Sequence, residues 1–224
     1  MTIFLDDLDR RTFVYLFGDV VEDFNITCWN FCLMGNHYHA TFNPTQPNLS
    51  RAIQRLNGRY ASWWNDRHAH VGHVFQGRFK DQIVQREGYL TTLCRYVVMN
   101  PVRAKIVKSP EDWPWSSYRA TIGLSPCPSF LSPRSTLNLF GDVDVAIQRE
   151  RFANYVIGSC PEEDTIIDRF RSKEVIVGDK PFKDAVRAEA GLINGAPPGQ
   201  LATDLSGVAP TQPTSTGGPV SSLV

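Results

Sequence analysis

The chain has 224 residues, 42% of them hydrophobic and 21% charged, which is an ordinary composition for a globular protein. It contains no apolar run of about eighteen residues, which excludes a transmembrane helix, and its acidic N-terminus predicts no secretory signal. Five scattered cysteines without a CxxC pair favour a reducing, cytoplasmic setting over a disulfide framework or a zinc ribbon.

Charge is unevenly distributed along the chain, although the formal net charge is zero. Residues 1–50 carry a net charge of −4, residues 51–120 of +7 and residues 121–224 of −3. An arginine-rich basic segment is typical of a surface that faces phosphates. It is equally typical of a solvated face that balances acidic neighbours, so the charge pattern leaves both explanations open.

The first part of the chain alternates helical and β patterns. Asp6-Asp7 can cap a helix, and apolar residues at helical spacing predict that helix over 7–24. Residues 26–43 are rich in β-forming residues and predict a hairpin that turns at Gly35-Asn36. A second helix is predicted over 48–65.

Weaker patterns follow. Residues 74–85 predict a strand with a glycine interruption, and residues 87–100 predict a helix that Pro101 ends, with a short helix over 101–108. Further helices are predicted near 143–157, 163–171 and 181–190.

Composition divides the chain into three segments. Residues 1–120 hold the motifs discussed below, and residues 121–190 predict a mostly helical extension. Residues 191–224 consist largely of Ala, Pro, Gly, Ser and Thr, and this composition predicts a disordered tail.

The sharpest local feature is His37-Tyr38-His39. Residues at i and i+2 of a strand share a face, so both imidazoles point the same way, as two ligands of one divalent metal would. Tyr38, Ala40 and Phe42 would then face the core. Two histidines leave a metal site open and need a third ligand. Taken alone, the pair fits a hydrogen-bonded surface pair better.

Tyr96 and Asn100 lie at i and i+4 of the third predicted helix, so they share one face. A phenol and an amide in these positions could supply a nucleophile and a third metal ligand. The alternative is a half-buried helix tyrosine and a helix-terminal asparagine.

Four segments together resemble the HUH single-tyrosine transposases, in particular the REP-associated tyrosine transposase branch. These segments occur in the family's order: Cys32 to His39 (CLMGNHYH), Gly72 to Lys80 (GHVFQGRFK), Tyr96 to Ala104 (YVVMNPVRA) and Pro110 to Tyr118 (PEDWPWSSY). The resemblance implies an α+β fold, with a ferredoxin-like antiparallel sheet and helices on one face. It implies a catalytic domain over 1–120.

The resemblance also implies roles for individual residues. His37, His39 and Asn100 correspond to the ligands of Mg²⁺ or Mn²⁺, and Tyr96 corresponds to the nucleophile. The activity implied is that of a single-stranded DNA endonuclease and strand transferase that forms a 5′-phosphotyrosine intermediate during DNA transposition. The DNA-binding candidates are Arg51, Arg55, Arg59, Arg78, Lys80, Arg95 and Arg103.

The implied substrate is single-stranded, hairpin-forming DNA, bound without a membrane by a cytoplasmic, nucleoid-associated protein that can form a homodimer. One departure matters. Family members carry a strand before the first helix, and this chain begins almost at that helix, so a missing strand is expected to expose an edge of the sheet.

Two alternatives remain. A truncated remnant that binds DNA without cleaving it is the stronger of the two, because of the missing strand. A histidine-triad nucleotide hydrolase is weaker, because Thr41 stands where a third alternating histidine is needed.

Overall fold

The computed structural model describes residues 1–77, 79–86, 88–158, 163–172, 174–189 and 220–223. The elements of this part follow in chain order: α1 (Asp7–Asp23), β1 (Ile26–Leu33), β2 (Tyr38–Pro44), α2 (Leu49–His68), β3 (Asp81–Val84), α3 (Leu90–Arg103), α4 (Tyr118–Ile122), α5 (Pro133–Leu137), α6 (Val145–Ile157), α7 (Glu163–Arg171), β4 (Ile176–Val177), α8 (Lys180–Glu189) and β5 (Val220–Leu223). The predicted α+β class is confirmed.

The strands form one sheet in the order β1-β2-β5-β3-β4. β1 and β2 make the predicted antiparallel hairpin, and β5 runs antiparallel to both β2 and β3. β3 and β4 are parallel, which the sequence pattern did not predict.

Helices cover both faces of the hairpin, because successive strand residues point to opposite sides. Phe31 and Leu33 belong to one hydrophobic cluster, with residues of α1 and α2. Cys32 and Met34 belong to a second cluster, with residues of α3. α1 and α2 therefore share one face, and α3 lies on the other face, which corrects the expectation of helices on one face only.

The helical extension completes the second cluster. The predicted helices near 143–157, 163–171 and 181–190 are confirmed as α6, α7 and α8. Buried side chains of α6 and α7, including Phe152 and Phe170, pack in the same cluster as Val97 of α3. The division of the chain at residue 120 stays a prediction.

The end of α3 corrects the predicted boundary at Pro101. The helix continues to Arg103, with Pro101 inside its last turn. Proline has no N–H to donate to the carbonyl of Val97, and the side-chain amide of Asn100 donates to that carbonyl instead, at 3.3 Å. Residues 104–108 form turns rather than the short helix predicted over 101–108, and Lys105 has a φ of 58°.

The strand predicted over 74–85 is shorter than expected. Only Asp81–Val84 pairs in the sheet, and Gly77, at a φ of 77°, turns the chain before it. A residue in the left-handed region of φ cannot continue an extended strand, so the described residues before β3 have an irregular backbone.

β5 corrects two expectations. Val220–Leu223 forms a strand within the expected disordered tail of 191–224, whose remaining residues lie outside the described part. No strand precedes α1 in residues 1–6, yet β2 has no open edge there, because Ala40, Thr41 and Phe42 pair with β5.

Among the described residues, no helix combines the length and the apolar character needed to cross a bilayer.

Candidate active site

The hairpin turn places the two histidines together. The backbone N–H of Met34 donates to the carbonyl of His37 at 2.9 Å, and this bond closes the turn through Gly35 and Asn36. His39 pairs in register with Cys32 of β1. His37 lies just before β2, and its Nε2 atom is 3.1 Å from the Nε2 atom of His39. The predicted convergence of the two imidazoles is confirmed.

The surroundings keep both imidazoles neutral. Burial lowers the pKa of His39 to about 3, and the neighbouring His37 lowers it further in the same direction. Partial desolvation also lowers the pKa of His37. Two neutral imidazoles present lone pairs, which is the form that binds a divalent cation.

Hydrogen bonding around the pair fits the ligand role. Nδ1 of His37 lies 2.6 Å from Oδ1 of Asn36, so we assign Nδ1 as the donor, which leaves the Nε2 lone pair free. Two facing Nε2 atoms at 3.1 Å require a proton or a cation between them, because their lone pairs repel. Nδ1 of His39 is buried without a partner among the described residues.

Tyr96 lies on α3, directly opposite His39. Its ring centroid is 5.6 Å from that of His39, and the two planes cross at 80°. The side chain is 4% exposed, with Phe170 of α7 at 5.8 Å and the guanidinium of Arg103 over the ring at 5.2 Å. The Tyr96 ring therefore packs edge to face against the His39 ring.

Asn100 lies one turn after Tyr96 on α3. Its Nδ2 atom donates to the carbonyls of Tyr96 and Val97 at 2.8 and 3.3 Å. These bonds engage the nitrogen, so Oδ1 is the atom left for a cation. Within the described part of the chain, no three His, Cys, Asp or Glu side chains cluster as metal ligands, so an amide oxygen suits the third position.

A comparison with protein families covers the residues of this site. Residues 2–100 match the model of the family described as transposase IS200 like. This segment is similar to the IS200-like transposases. It contains His37, His39, Tyr96 and Asn100, and it spans somewhat less than half of the chain. No curated protein and no solved structure matches the chain.

Arg51, Arg55 and Arg59, which are predicted to bind DNA, lie four residues apart on α2 and form an arginine stripe, two members of which are held in ion pairs. Arg55 forms an ion pair with Asp23 at 3.0 Å, and Arg59 forms one with Asp19 at 3.1 Å. Both acidic residues lie on α1, so these pairs join α1 to α2 and reduce the charge offered to phosphates. Arg51 is exposed at the start of the stripe.

The other cations differ in position. Arg78 lies outside the described residues, and Lys80 is exposed just before β3. Arg103 stands over Tyr96. Arg95 corrects its prediction: it is 9% exposed and donates to the carbonyls of Val156, at 3.0 Å, and Gly158 at the end of α6. A buried cation there stabilises the negative end of that helix, so Arg95 has a structural role.

Sequence reasoning missed two contributors to the site. Asn36 orients His37, and its position in the turn directly before His37 is the feature of the sequence that could have predicted this role. Phe170 covers Tyr96 from α7, and it carried no signal because 73 positions separate the two along the chain.

Proposed function

We propose that the protein is a single-stranded DNA endonuclease and strand transferase that acts through a 5′-phosphotyrosine at Tyr96. The observation that carries this proposal is the meeting of two neutral imidazoles with a phenol ring 5.6 Å from one of them. The transposase family supports DNA transposition as the setting.

His37, His39 and Asn100 would hold Mg²⁺ or Mn²⁺. When bound, such an ion polarises the scissile phosphate and neutralises charge that develops on it. The side chains have the chemistry for this role: two neutral imidazole nitrogens that meet at 3.1 Å, and an amide oxygen on α3 whose own nitrogen is already hydrogen-bonded. Asn36 fixes the ring of His37, and the sheet fixes His39.

Tyr96 supplies the nucleophile. Its phenolic oxygen forms a bond to phosphorus, the bond from phosphorus to the 3′ oxygen breaks, and the phenolic proton passes to solvent as the 3′ oxygen takes one up. The 5′-phosphotyrosine conserves the phosphodiester energy, so a second 3′-hydroxyl can reverse the step and join strands. Arg103, whose guanidinium lies over the Tyr96 ring, would donate hydrogen bonds to the phosphate and balance its negative charge.

The substrate is single-stranded DNA next to a hairpin, since a phosphate within a duplex is hard to bring to a phenol that is 4% exposed. Arg51 and Lys80 would contact the backbone of the strand. Association with the nucleoid in the cytoplasm follows from this substrate.

One observation favours a second function, that of a DNA-binding remnant without cleavage. Tyr96 is 4% exposed beneath Phe170, so the phenol meets a phosphate only if the substrate enters this buried space. A remnant would bind hairpin DNA and form no covalent product.

Covalent capture separates the two functions. The protein is incubated with Mn²⁺ and labelled hairpins that carry randomised single-stranded flanks, and products are resolved on denaturing gels. We expect a protein-linked label that disappears in Tyr96→Phe and persists in Tyr15→Phe, which removes an exposed phenol on α1. DNA binding without any adduct in the wild type would contradict cleavage and favour the remnant.

A further inference from the structure

An open cleft of about 370 Å³ lies beside His37, and Tyr96 is not among its lining residues. Its volume is near the lower end of the range for small-molecule sites, roughly 300–1,000 Å³. The segment before β3 forms one wall, and the hairpin and α2 form the other. The lining residues used below are His37, Tyr38, Asn57, Phe79 and Lys80.

The cleft has an apolar floor with one oriented polar group. The ring of Tyr38 is buried against Phe13 at 4.7 Å, and its hydroxyl donates to Oδ1 of Asn57 at 3.0 Å. This bond fixes the Asn57 amide with its oxygen engaged. Its Nδ2 donors have no acceptor among the described residues, so they are available to a carbonyl group in the cleft.

Phe79 supplies a flat surface at the wall. It packs partly buried against the core, but no aromatic ring contact is found for it in the described part of the chain. Phe75, in the same wall, differs because its ring contacts Tyr38 and Tyr60. The neighbouring Lys80 is exposed at the rim, where a phosphate would lie.

We propose that this cleft binds one unpaired base of the DNA strand whose backbone passes His37. The base stacks on Phe79, and a carbonyl on its edge accepts a hydrogen bond from Asn57. The inference rests on the proposed function, to which it adds a contact that reads the base beside the scissile phosphate. The aromatic face matches the flat surface of a base, the amide donor matches a carbonyl on its edge, and the cation at the rim matches the phosphate.

A comparison of two DNA strands with equal charge tests the cleft. The probes are fluorescent dT20 and a 20-unit abasic strand, and binding is measured by anisotropy at fixed salt. We expect the wild type to prefer dT20, and Phe79→Leu to weaken dT20 about tenfold, since leucine keeps the apolar volume but has no π face. The affinity for the abasic strand should not change.

Three further variants sharpen this test. Phe79→Tyr retains a ring and should restore dT20 binding, and Phe140→Leu, a half-buried phenylalanine outside the cleft, should change neither affinity. Lys80→Gln should weaken both strands equally. Equal weakening of both strands by Phe79→Leu, or no effect on either, would overturn the proposal.

Failure of the cleft and failure of the proposed function give different results. Binding of these strands does not require cleavage, so a base preference that depends on Phe79 supports the cleft even where no Tyr96 adduct forms. Adduct formation with no Phe79-dependent base preference would overturn the cleft and keep the nuclease.

Discussion

The two faces of β2 differ in polarity, although alternate residues of one short strand form them. On the α1 and α2 face, Tyr38, Ala40 and Phe42 are buried in a continuous aromatic cluster, and the one hydroxyl among them is hydrogen-bonded. On the α3 face, His39 Nδ1 and Thr41 Oγ1 are buried without partners in the described part of the chain.

Gln82 extends this difference across the sheet. Gln82 and Thr41 both lie in register with position 222 of β5, so Gln82 shares the face of Thr41, and its Oε1 is also buried without a partner among the described residues. Each such group costs about 1–3 kcal/mol. One face of the strand therefore stabilises the fold, whereas the other retains polar groups beside the candidate active site.

The largest expected effect lies on the stabilising face. Phe17 is 1% exposed and its ring contacts Phe31, Phe42 and Phe130. Phe17→Ala should lower the free energy of unfolding by about 3–5 kcal/mol, because it leaves a cavity in this cluster. Urea denaturation measures the loss. A loss below about 1 kcal/mol would show that this cluster does not stabilise the fold.

The next effect lies on the α3 face. His39→Ala should reduce metal-dependent cleavage about a hundred- to a thousandfold, since it removes a ligand whose loss costs several kcal/mol in the transition state. DNA binding should be retained. His70→Ala is the matched control, because among the described residues the side chain of His70 hydrogen-bonds to Asn65 at the end of α2 and to neither His37 nor His39. Equal loss of binding and cleavage in His39→Ala would contradict a metal role.

Asp81, at the start of β3, gives a pH test. Burial raises the pKa of its carboxyl from 3.8 to about 6, so the folded protein binds more protons than the unfolded chain between these values. Stability therefore falls as pH rises through this window, and the full cost is present above about pH 6. Asp81→Asn should stabilise the protein by about 1–2 kcal/mol at pH 7, with a smaller gain at pH 4.

The same substitution at Asp179 should change stability in the opposite direction. Hydrogen bonds from Phe182 N–H and the Gln85 side chain lower the pKa of its carboxyl. Asp179→Asn should therefore destabilise the protein at pH 7. Destabilisation by both substitutions would show that burial at Asp81 carries no electrostatic cost.

The smallest effects are expected along the arginine stripe. Arg55→Ala and Arg59→Ala should each change stability by less than about 1 kcal/mol, because their ion pairs are partly exposed. Arg51→Ala should reduce the salt dependence of single-stranded DNA binding by about 0.7 in the log–log slope. The paired arginines should reduce it less, and the same reduction in all three variants would mean that DNA displaces the ion pairs.

Local patterns predicted most of the site. The hairpin and the shared face of His37 and His39 follow from strand alternation and a Gly-Asn turn, which depend on neighbours in sequence. The cap of α1 was equally predictable: Asp6 accepts from the backbone N–H groups of Leu8 and Asp9 at 2.9 and 3.0 Å.

What could not be predicted depends on residues distant in sequence. The sequence around Arg55 and Arg59 predicts unpaired cations, because their acidic partners lie on α1, far away along the chain. Arg95, next to Tyr96 in sequence, points to the end of α6. β5 comes from a segment without apolar periodicity, and its pairing depends on the open edges of β2 and β3 rather than on its own composition.

The central claim is that Tyr96 attacks a phosphate held beside His37 and His39. The most direct test is to digest the covalent DNA complex with nuclease and trypsin and to locate the remaining nucleotide by mass spectrometry. The account predicts a nucleotide mass on the tyrosine of the peptide Tyr96 to Arg103. A nucleotide on any other residue, with that peptide unmodified, would contradict it.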